Sequence, residues 1–497
     1  MNIRQSFFSR AHGVNHHWWA LGAISIGSFA ATYDTGALNI SLPQIMVSFQ
    51  ASFKLIIWVP LAFLLTSTAF LLPAGQLGDI IGRKKIYNIG LIIFLAGSAL
   101  CVLSQSPTQL ILFRVFQSLG ASMIYTNFFA IITAVFPEKN RGQGLGFGMA
   151  LAVIGVSSGP AIGGLITSYV GWRGIFVLNV AAAISGLISS HLILQEKLVS
   201  PPSGESSRHF DVVGTGLVAA AIVSLFVGLN FGQEKGWDAV ATHILFAIAA
   251  LTMIAFPWYE SRRTHPVVDI TLFKNRIVSF NMIARLICFF ALAANGLLMP
   301  FFLQLVRGYS PAEAGLTIAA MSIIIAIVSP VTGSLANHIS SRTLSTAGMA
   351  LMSLSLYFLS RLNLSSTYGD VLWRLLLLGL GHAIFQTPNS TSIMDSVPKD
   401  KFGVISGVLA LIRQTGQALG IGVANTIVVA SLSSKVGNVS LYSIKRDATL
   451  LEQGDAISAF AAGIDQAFLA ASLICILGVI FCLIRGKTAR DQGIHAR

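Results

Sequence analysis

Fourteen stretches of this chain are each as long and apolar as a membrane-spanning helix, and they follow one another with little chain between them. A spanning helix needs about 20 apolar residues. Runs of that kind lie at roughly 18–46, 55–77, 86–104, 108–136, 143–170, 173–194, 212–231, 239–259, 277–304, 311–334, 343–361, 369–395, 401–432 and 464–484, with a long polar loop at 433–463. Hydrocarbon gives backbone N–H and C=O groups no partners, so runs of this length must satisfy them internally, as α-helices. Only 10% of the residues are charged and 54% are hydrophobic. An ordinary soluble domain carries about 25% charged residues, so a string of soluble domains is excluded.

The net charge of +13 does not point to nucleic acid, because the basic residues alternate with the loops. Arg83, Lys84, Lys85, Arg262, Arg263, Lys274, Arg276 and Arg485 fall on the side of the termini. The opposite side holds Lys54, Arg173, Lys235, Arg307, Arg361, Lys435, Lys445 and Arg446, but most of the remaining Lys and Arg join the first set. Arg114, Arg285, Arg374 and Arg413 lie within runs. This is the positive-inside bias, and with an even number of spans it predicts both termini in the cytoplasm. The first run is too long for a signal-peptide core and is expected to stay. Cys101, Cys288, Cys475 and Cys482 all lie in apolar runs and read as small core residues, not as disulfides or metal ligands.

The chain also repeats itself. "GQLGDIIGR" from Gly75 is answered by "GSLANHISS" from Gly333, and "LFRVFQSLGAS" from Leu112 by "LWRLLLLGLGH" from Leu372, which aligns Arg114 with Arg374. Gly142, Gly146, Gly155 and Gly159 then match Gly403, Gly407, Gly416 and Gly420. Runs 2, 4 and 5 therefore correspond to runs 10, 12 and 13. The predicted organisation is an N-terminal six-helix bundle (1–196), a cytoplasmic linker (197–211), two inserted helices (212–260), a second cytoplasmic linker (261–276) and a C-terminal six-helix bundle (277–497). Parallel six-helix repeats are the plan of secondary transporters that rock around a central site.

Four motifs carry a family resemblance. "GQLGDIIGRKK" after the second run resembles the loop signature of the major facilitator superfamily. "DTGALNISLP" in run 1, "RVFQSLGAS" in run 4 and "GVSSGPAIGG" in run 5 resemble signatures of its drug:proton antiporters. The central pair of extra helices and "RGYSPAEAG" from Arg307 resemble the fourteen-helix branch. The resemblance implies an all-α polytopic protein with two six-helix bundles plus two inserted central helices. The pattern departs from the family at Ile80, where a basic residue is usual, at Ser118, often glycine, and at Gly36, usually threonine.

Asp34 is the single charge in the first run, about 24 Å along the helix from Trp18 and about 13 Å from Pro43 at 1.5 Å per residue. A charge at such depth costs about 2.5–3.5 kcal/mol unless a cavity or partner receives it. No nucleotide-binding motif is visible: "GKT" at Gly486 lacks the first P-loop glycine, Phe481 holding that place. Energy must then come from an ion gradient, which needs a buried titratable group. Asp34 is the candidate proton site, or else an aspartate held permanently by an arginine as a packing device. Arg114 is its candidate partner, or an arginine snorkelling to the interface.

The resemblance gives gating roles to two sets. Gly75, Asp79, Gly82 and Arg83 form the cytoplasmic gate motif. Gly155, Gly159, Pro160, Gly163 and Gly164 form a tight helix contact across the two halves that seals the outer side. Candidate substrate contacts are Tyr33, Asn39, Tyr125, Asn127, Asn295, His382, Gln386, Asn389 and Gln417. His382, Gln386 and Asn389 share one face of run 12, where substrate binding and hydrogen bonding between helices are both open. The expected function is proton-coupled antiport exporting small lipophilic, neutral or monocationic compounds from a bacterial inner membrane. A dedicated exporter of a metabolite, siderophore or lipid, a proton symporter and a membrane enzyme are the alternatives, and an enzyme would need paired acids or a His/Asp set at one depth. The expected partners are a small-molecule substrate, protons and membrane lipids, with no nucleic acid, no cofactor and no metal, acting on a monomer.

Overall fold

Lipid demands helices, and the long elements of this protein are all helical. A computed structural model describes residues 16–199, 211–263, 270–398, 402–436 and 450–486. Fourteen long helices follow in order: α1 (His16–Ser48), α2 (Trp58–Ile81), α3 (Arg83–Leu103), α4 (Pro107–Val135), α5 (Arg141–Tyr169), α6 (Arg173–Ile193), α7 (Val212–Lys235), α8 (Val240–Glu260), α9 (Arg276–Phe301), α10 (Pro311–Leu335), α11 (Ser341–Leu359), α12 (Tyr368–Met394), α13 (Phe402–Val436) and α14 (Leu450–Ile484). Among the described residues, ten helices are long and apolar enough to cross a membrane on hydropathy alone. Helix α1 is not one of them because it buries Ser25, Ser28, Thr32, Asp34 and Ser41 against its neighbours. Polar groups turned into a bundle lower the hydropathy of a span without exposing it to lipid.

Each helix matches one apolar run, but the last begins at Leu450, well before 464. Its early turns continue a helical stripe, burying Ala456, Ala459, Phe460 and Ile464, spaced for one face. Asp455 and Asp465 interrupt the apolar run without interrupting the helix, so Asp465 lies inside a helix and not at its start. Most of the expected linker 197–211, part of the linker 261–276 and both chain ends lie outside the described residues.

Helices α1–α6 pack among themselves, with α1 on α5 and α6, α4 on α2 and α3, and α3 on α6. Helices α9–α14 repeat the plan: α9 on α13 and α14, α12 on α10 and α11, α11 on α14. The glycine repeat has a packing cause. A Cβ on Gly155 would lie 3.1 Å from Thr32 Cβ, and one on Gly159 2.8 Å from Gly36 Cα, both on α1. Their counterparts Gly416 and Gly420 meet Leu286, Phe289, Phe290 and Ala293 on α9 in the same manner. Helix α7 packs against α2 of one half, α13 of the other, and α8.

The two halves are tied to each other towards the face opposite the start of α1 and the end of α14, here the distal face. There a Cβ on Gly315 of α10 would lie 3.1 Å from Gly164 Cα of α5, and the Ala312 amide donates to Ser168 Oγ at 2.9 Å. Gln304 Nε2 donates to the Ile40 carbonyl at 2.6 Å, and Phe53 meets Phe301 and Phe460 edge-on at 4.9 and 5.3 Å. At mid-depth, Ser67 and Thr68 of α2 both donate to Gln414 Oε1 of α13, at 2.7 and 3.0 Å.

Candidate functional site

The lone carboxylate of the first helix is fully buried and fully engaged. Arg114 Nη1 of α4 donates to Asp34 Oδ2 at 2.5 Å, and Asn179 Nδ2 of α6 donates to Oδ1 at 2.5 Å. Arg114 also donates to Gln117 Oε1 at 2.6 Å, and Gln117 Nε2 passes the chain to Ser98 Oγ of α3 at 2.8 Å. The guanidinium lies over the Phe63 ring of α2 at 4.1 Å. Four helices thus meet the ion pair directly and a fifth through Gln117. Asp34 and Arg114 are 0% and 1% exposed, so the pair lies in the interior of the first bundle. Both carboxylate oxygens accept charge-assisted bonds, which answers the cost of placing the charge in lipid.

The glycine motif of α5 divides into two faces. Gly155, Gly159 and Gly163 pack against α1 within the first half, and a Cβ on Gly163 would lie 2.5 Å from Ala37 Cα. Pro160 and Gly164 face Pro311 and Gly315 of α10 across the two halves. Gly36, the departure from the family pattern, sits in the first contact: its Cβ would lie 2.9 Å from the Val156 carbonyl oxygen and 3.0 Å from Pro160 Cδ. A threonine has no room there. Ser118, the second departure, donates to the Phe63 carbonyl at 2.6 Å, adding a tie between α4 and α2.

In the loop motif, Gly82 holds φ 117°, a conformation that favours glycine, and separates α2 from α3. Arg83 pairs with Asp79 at 2.9 Å within one turn and donates to the Ala130 carbonyl at 3.1 Å. Asp79 is 53% exposed, and Ile80 and Ile81 beside it are exposed. Gly75 packs near Thr126 of α4.

The remaining candidates separate by place. Asn39 of α1 lies beside Gly296 of α9, next to Asn295, and the amide oxygens of both asparagines are buried without a hydrogen-bond partner. Tyr125 donates to the Ala31 carbonyl at 2.6 Å and lies within electrostatic reach of Arg413 of the other half. His382 Nδ1 lies 3.3 Å from Cys288 Sγ. The Gln386 amide lies 3.3 and 3.1 Å from Arg285 Nη1 and Nη2 and satisfies both when its oxygen faces them, and Arg285 Nη1 donates to Ser390 Oγ at 2.8 Å. Gln417 is half-buried on α13. Three candidates serve packing within a half. Asn389 donates to Asn281 Oδ1 at 3.0 Å, Asn127 donates to the Met123 carbonyl at 2.9 Å and packs on Gly78, and Tyr33 is buried against Phe29. Sequence reasoning passed over Asn179, Gln117, Ser98 and Gln414. Asn179 had a visible signal, an amide in the middle of "FVLNVAAAIS".

Two pseudo-symmetric bundles tied to each other towards one face, with a buried ion pair inside the first, are the architecture of a membrane carrier. Residues 24–421 match the Major Facilitator Superfamily, and the chain belongs to that family. It is 31% identical over 468 residues to the Riboflavin transporter RibZ of Clostridioides difficile, covering 94% of this chain and 97% of that one. It is 34% identical over 415 residues to the Multidrug resistance protein Stp of Mycobacterium tuberculosis, covering 83% and 76%. Its fold is that of a bacterial homologue of the human lysosomal transporter Spinster, with TM-score 0.69 at 16% identity over 95% and 97% of the two chains. The protein is an integral membrane transporter of small molecules.

Proposed function

We propose that the protein is a proton-coupled antiporter that exports small lipophilic compounds across a bacterial inner membrane by alternating access, as a monomer with both termini in the cytoplasm. Its working parts are the bundles 1–196 and 277–497, the inserted pair 212–260 and the two cytoplasmic linkers, 197–211 and 261–276. The observation that carries the reading is the Asp34–Arg114 pair, sealed inside the moving half and connected to helices α2, α3, α4 and α6. A proton arriving at Asp34 removes the charge that holds Arg114. Arg114 then keeps Gln117 and Phe63, and the helices it joins relax relative to α1. An element with two discrete arrangements, biased by a proton, is what coupling requires.

The distal ties between Gly164 and Gly315 and between Ser168 and Ala312, with Asp79 exposed at the other face, support an inward-open arrangement. In the opposite state Gly75, Asp79, Gly82 and Arg83 would close the cytoplasmic side. Substrate contacts come from Asn39, Asn295, Tyr125, His382, Gln386 and Gln417; Tyr33, Asn127 and Asn389 support them from within each half. The cargo in this reading is neutral or monocationic, Asp34 being the acid within the first bundle that bears on cargo charge.

The relatives favour drugs and antibiotics as cargo, since they include a multidrug resistance protein and a tetracenomycin C resistance and export protein. The riboflavin transporter name keeps a dedicated metabolite carrier as the second reading. The test is dye uptake into inverted vesicles under an imposed pH gradient alone. Wild-type protein should concentrate the dye, and Asp34→Asn should be present in the membrane yet fail to do so. Undiminished proton-driven uptake by Asp34→Asn would reject Asp34 as the coupling site.

A further inference from the structure

Among the described residues, two arginines of the second half pair with no acid. Among the described residues the ion pairs are Arg83 with Asp79, Arg114 with Asp34 and Arg263 with Asp211. Arg285 of α9 is 8% exposed and reaches only neutral partners, the Ser390 hydroxyl and the Gln386 amide oxygen, while its Nε has no partner at all. Arg413 of α13 is half-buried, and the groups that bear on it are the Tyr125 phenol of the opposite half and Arg285 itself. His382 lies within electrostatic reach of Arg285. The residue after Arg413, Gln414, crosses to α2, which places this stretch of α13 at the seam between the halves.

We propose that Arg285 and Arg413 form the binding site for the anionic group of the cargo, and that the transporter takes amphipathic organic anions: an aromatic or aliphatic body carrying one carboxylate or phenolate. The proposal rests on the export reading for its physiological meaning, but the site is a statement about equilibrium binding. The chemistry is direct. A buried cation without a counter-ion is costly, and two that repel each other are more so. An anion seated between them relieves both, with the planar donors of arginine matched to a carboxylate. Gln386 and Ser390 hold Arg285 in place without neutralising it, as a site that must remain empty for part of its cycle requires. Tyr125 of the other half lies within electrostatic reach of Arg413 while its hydroxyl is held by the Ala31 carbonyl, so occupancy would bear on both halves. The counterpart of Asp34 in the second half is Asn295, so no repeated carboxylate competes for the two cations.

The test compares three dyes with one fluorophore: dansylglycine, its carboxamide, and a dansyl trimethylammonium. Binding is read by dansyl fluorescence on the purified full chain in phosphatidylcholine nanodiscs with no gradient, so a failure of proton coupling does not affect the result. Dansylglycine should bind at least about tenfold tighter than the amide, and the cation weakest. Arg413→Gln and Arg285→Gln should each weaken dansylglycine about tenfold and leave the amide unchanged. The wild-type comparison stands alone if a variant fails to fold. Equal affinity for acid and amide, or variants that weaken both dyes alike, would overturn the proposal. So would loss of dansylglycine binding when a tenth of the lipid is phosphatidylglycerol, which would give the two cations to a lipid headgroup.

Discussion

The Asp34–Arg114 pair makes a quantitative demand on stability. Both side chains are buried, and removing one member of such a pair leaves the other uncompensated at a cost of about 3–5 kcal/mol. Arg114→Met keeps an apolar stem against Phe63 but leaves Asp34 with Asn179 as its remaining donor. Asp34→Asn leaves Arg114 with Gln117 and a neutral amide, so its cost should fall at the low end of that range. The double variant removes both charges, and two neutral groups in place of a buried ion pair are close to neutral for stability. It should therefore be more stable than either single variant, which is the signature of a direct interaction in a double-mutant cycle. The assay is equilibrium unfolding in dodecylmaltoside micelles titrated with SDS, followed by tryptophan fluorescence. Single variants within about 1 kcal/mol of wild type, or strictly additive costs, would refute the claim that this pair holds the bundle.

Other perturbations probe the moving parts. Gly36→Ala inserts a methyl against the Val156 carbonyl and should lower stability by about 1–3 kcal/mol, measured in the same titration. Gly315→Leu should prop α10 away from α5, lengthening the distance between spin labels at Tyr169 and Glu313 in double electron–electron resonance and reducing transport. Asp79→Ala should slow turnover while leaving ligand affinity within about twofold, checked by comparing transport rates with equilibrium binding. Reporter fusions at Arg497 and within 260–274 should both read cytoplasm.

Much of the fold was legible because lipid removes alternatives: an apolar run of membrane length can only be a helix or part of a closed barrel. All fourteen runs became helices, and two of the glycine pairs that align between halves perform the same packing, Gly155 and Gly159 on α1 and Gly416 and Gly420 on α9. Where the rule weakened, acids hid a helix. Asp455 and Asp465 broke the apolar run at the start of α14, although the buried stripe continued beneath them. The partner of Asp34 was foreseeable from its arginine, but the third contact, Asn179, depends on how α6 rotates against α1, and spacing along one helix does not report rotation of another. His382, Gln386 and Asn389 share a face, yet they point to different partners: a cysteine, an arginine and an asparagine. One turn of helix is enough to move a side chain from the seam between halves into the core of one half.

That distinction bears on how such a protein moves without falling apart. Gly155, Gly159 and Gly163 bring the backbones of α5 and α1 into contact, and close-packed backbones do not slide in small steps. In the proposed cycle α1 and α5 would therefore move together, carrying Asp34 with them. On the other face of α5, Pro160 and Gly164 meet Pro311 and Gly315, and Ser168 accepts from the Ala312 amide, a contact between the halves that the proposed cycle would part and re-form. One ten-residue motif thus serves a contact within the first half and a contact between the halves, separated by the turn of the helix. Helix α7 lies against α2 and α13, so it must accommodate the same motion from the side. Against α13 its contact is apolar, a Cβ on Gly422 lying 3.6 Å from Phe226, whereas at its N-cap the Asp211 amide donates to Gln76 Oε1 of α2 at 3.1 Å. The ties that do carry direction, from Ser67 and Thr68 to Gln414, sit beside Arg413. A ligand drawn to that arginine would therefore act on the α2–α13 contact itself, where the two halves must agree on which way to open.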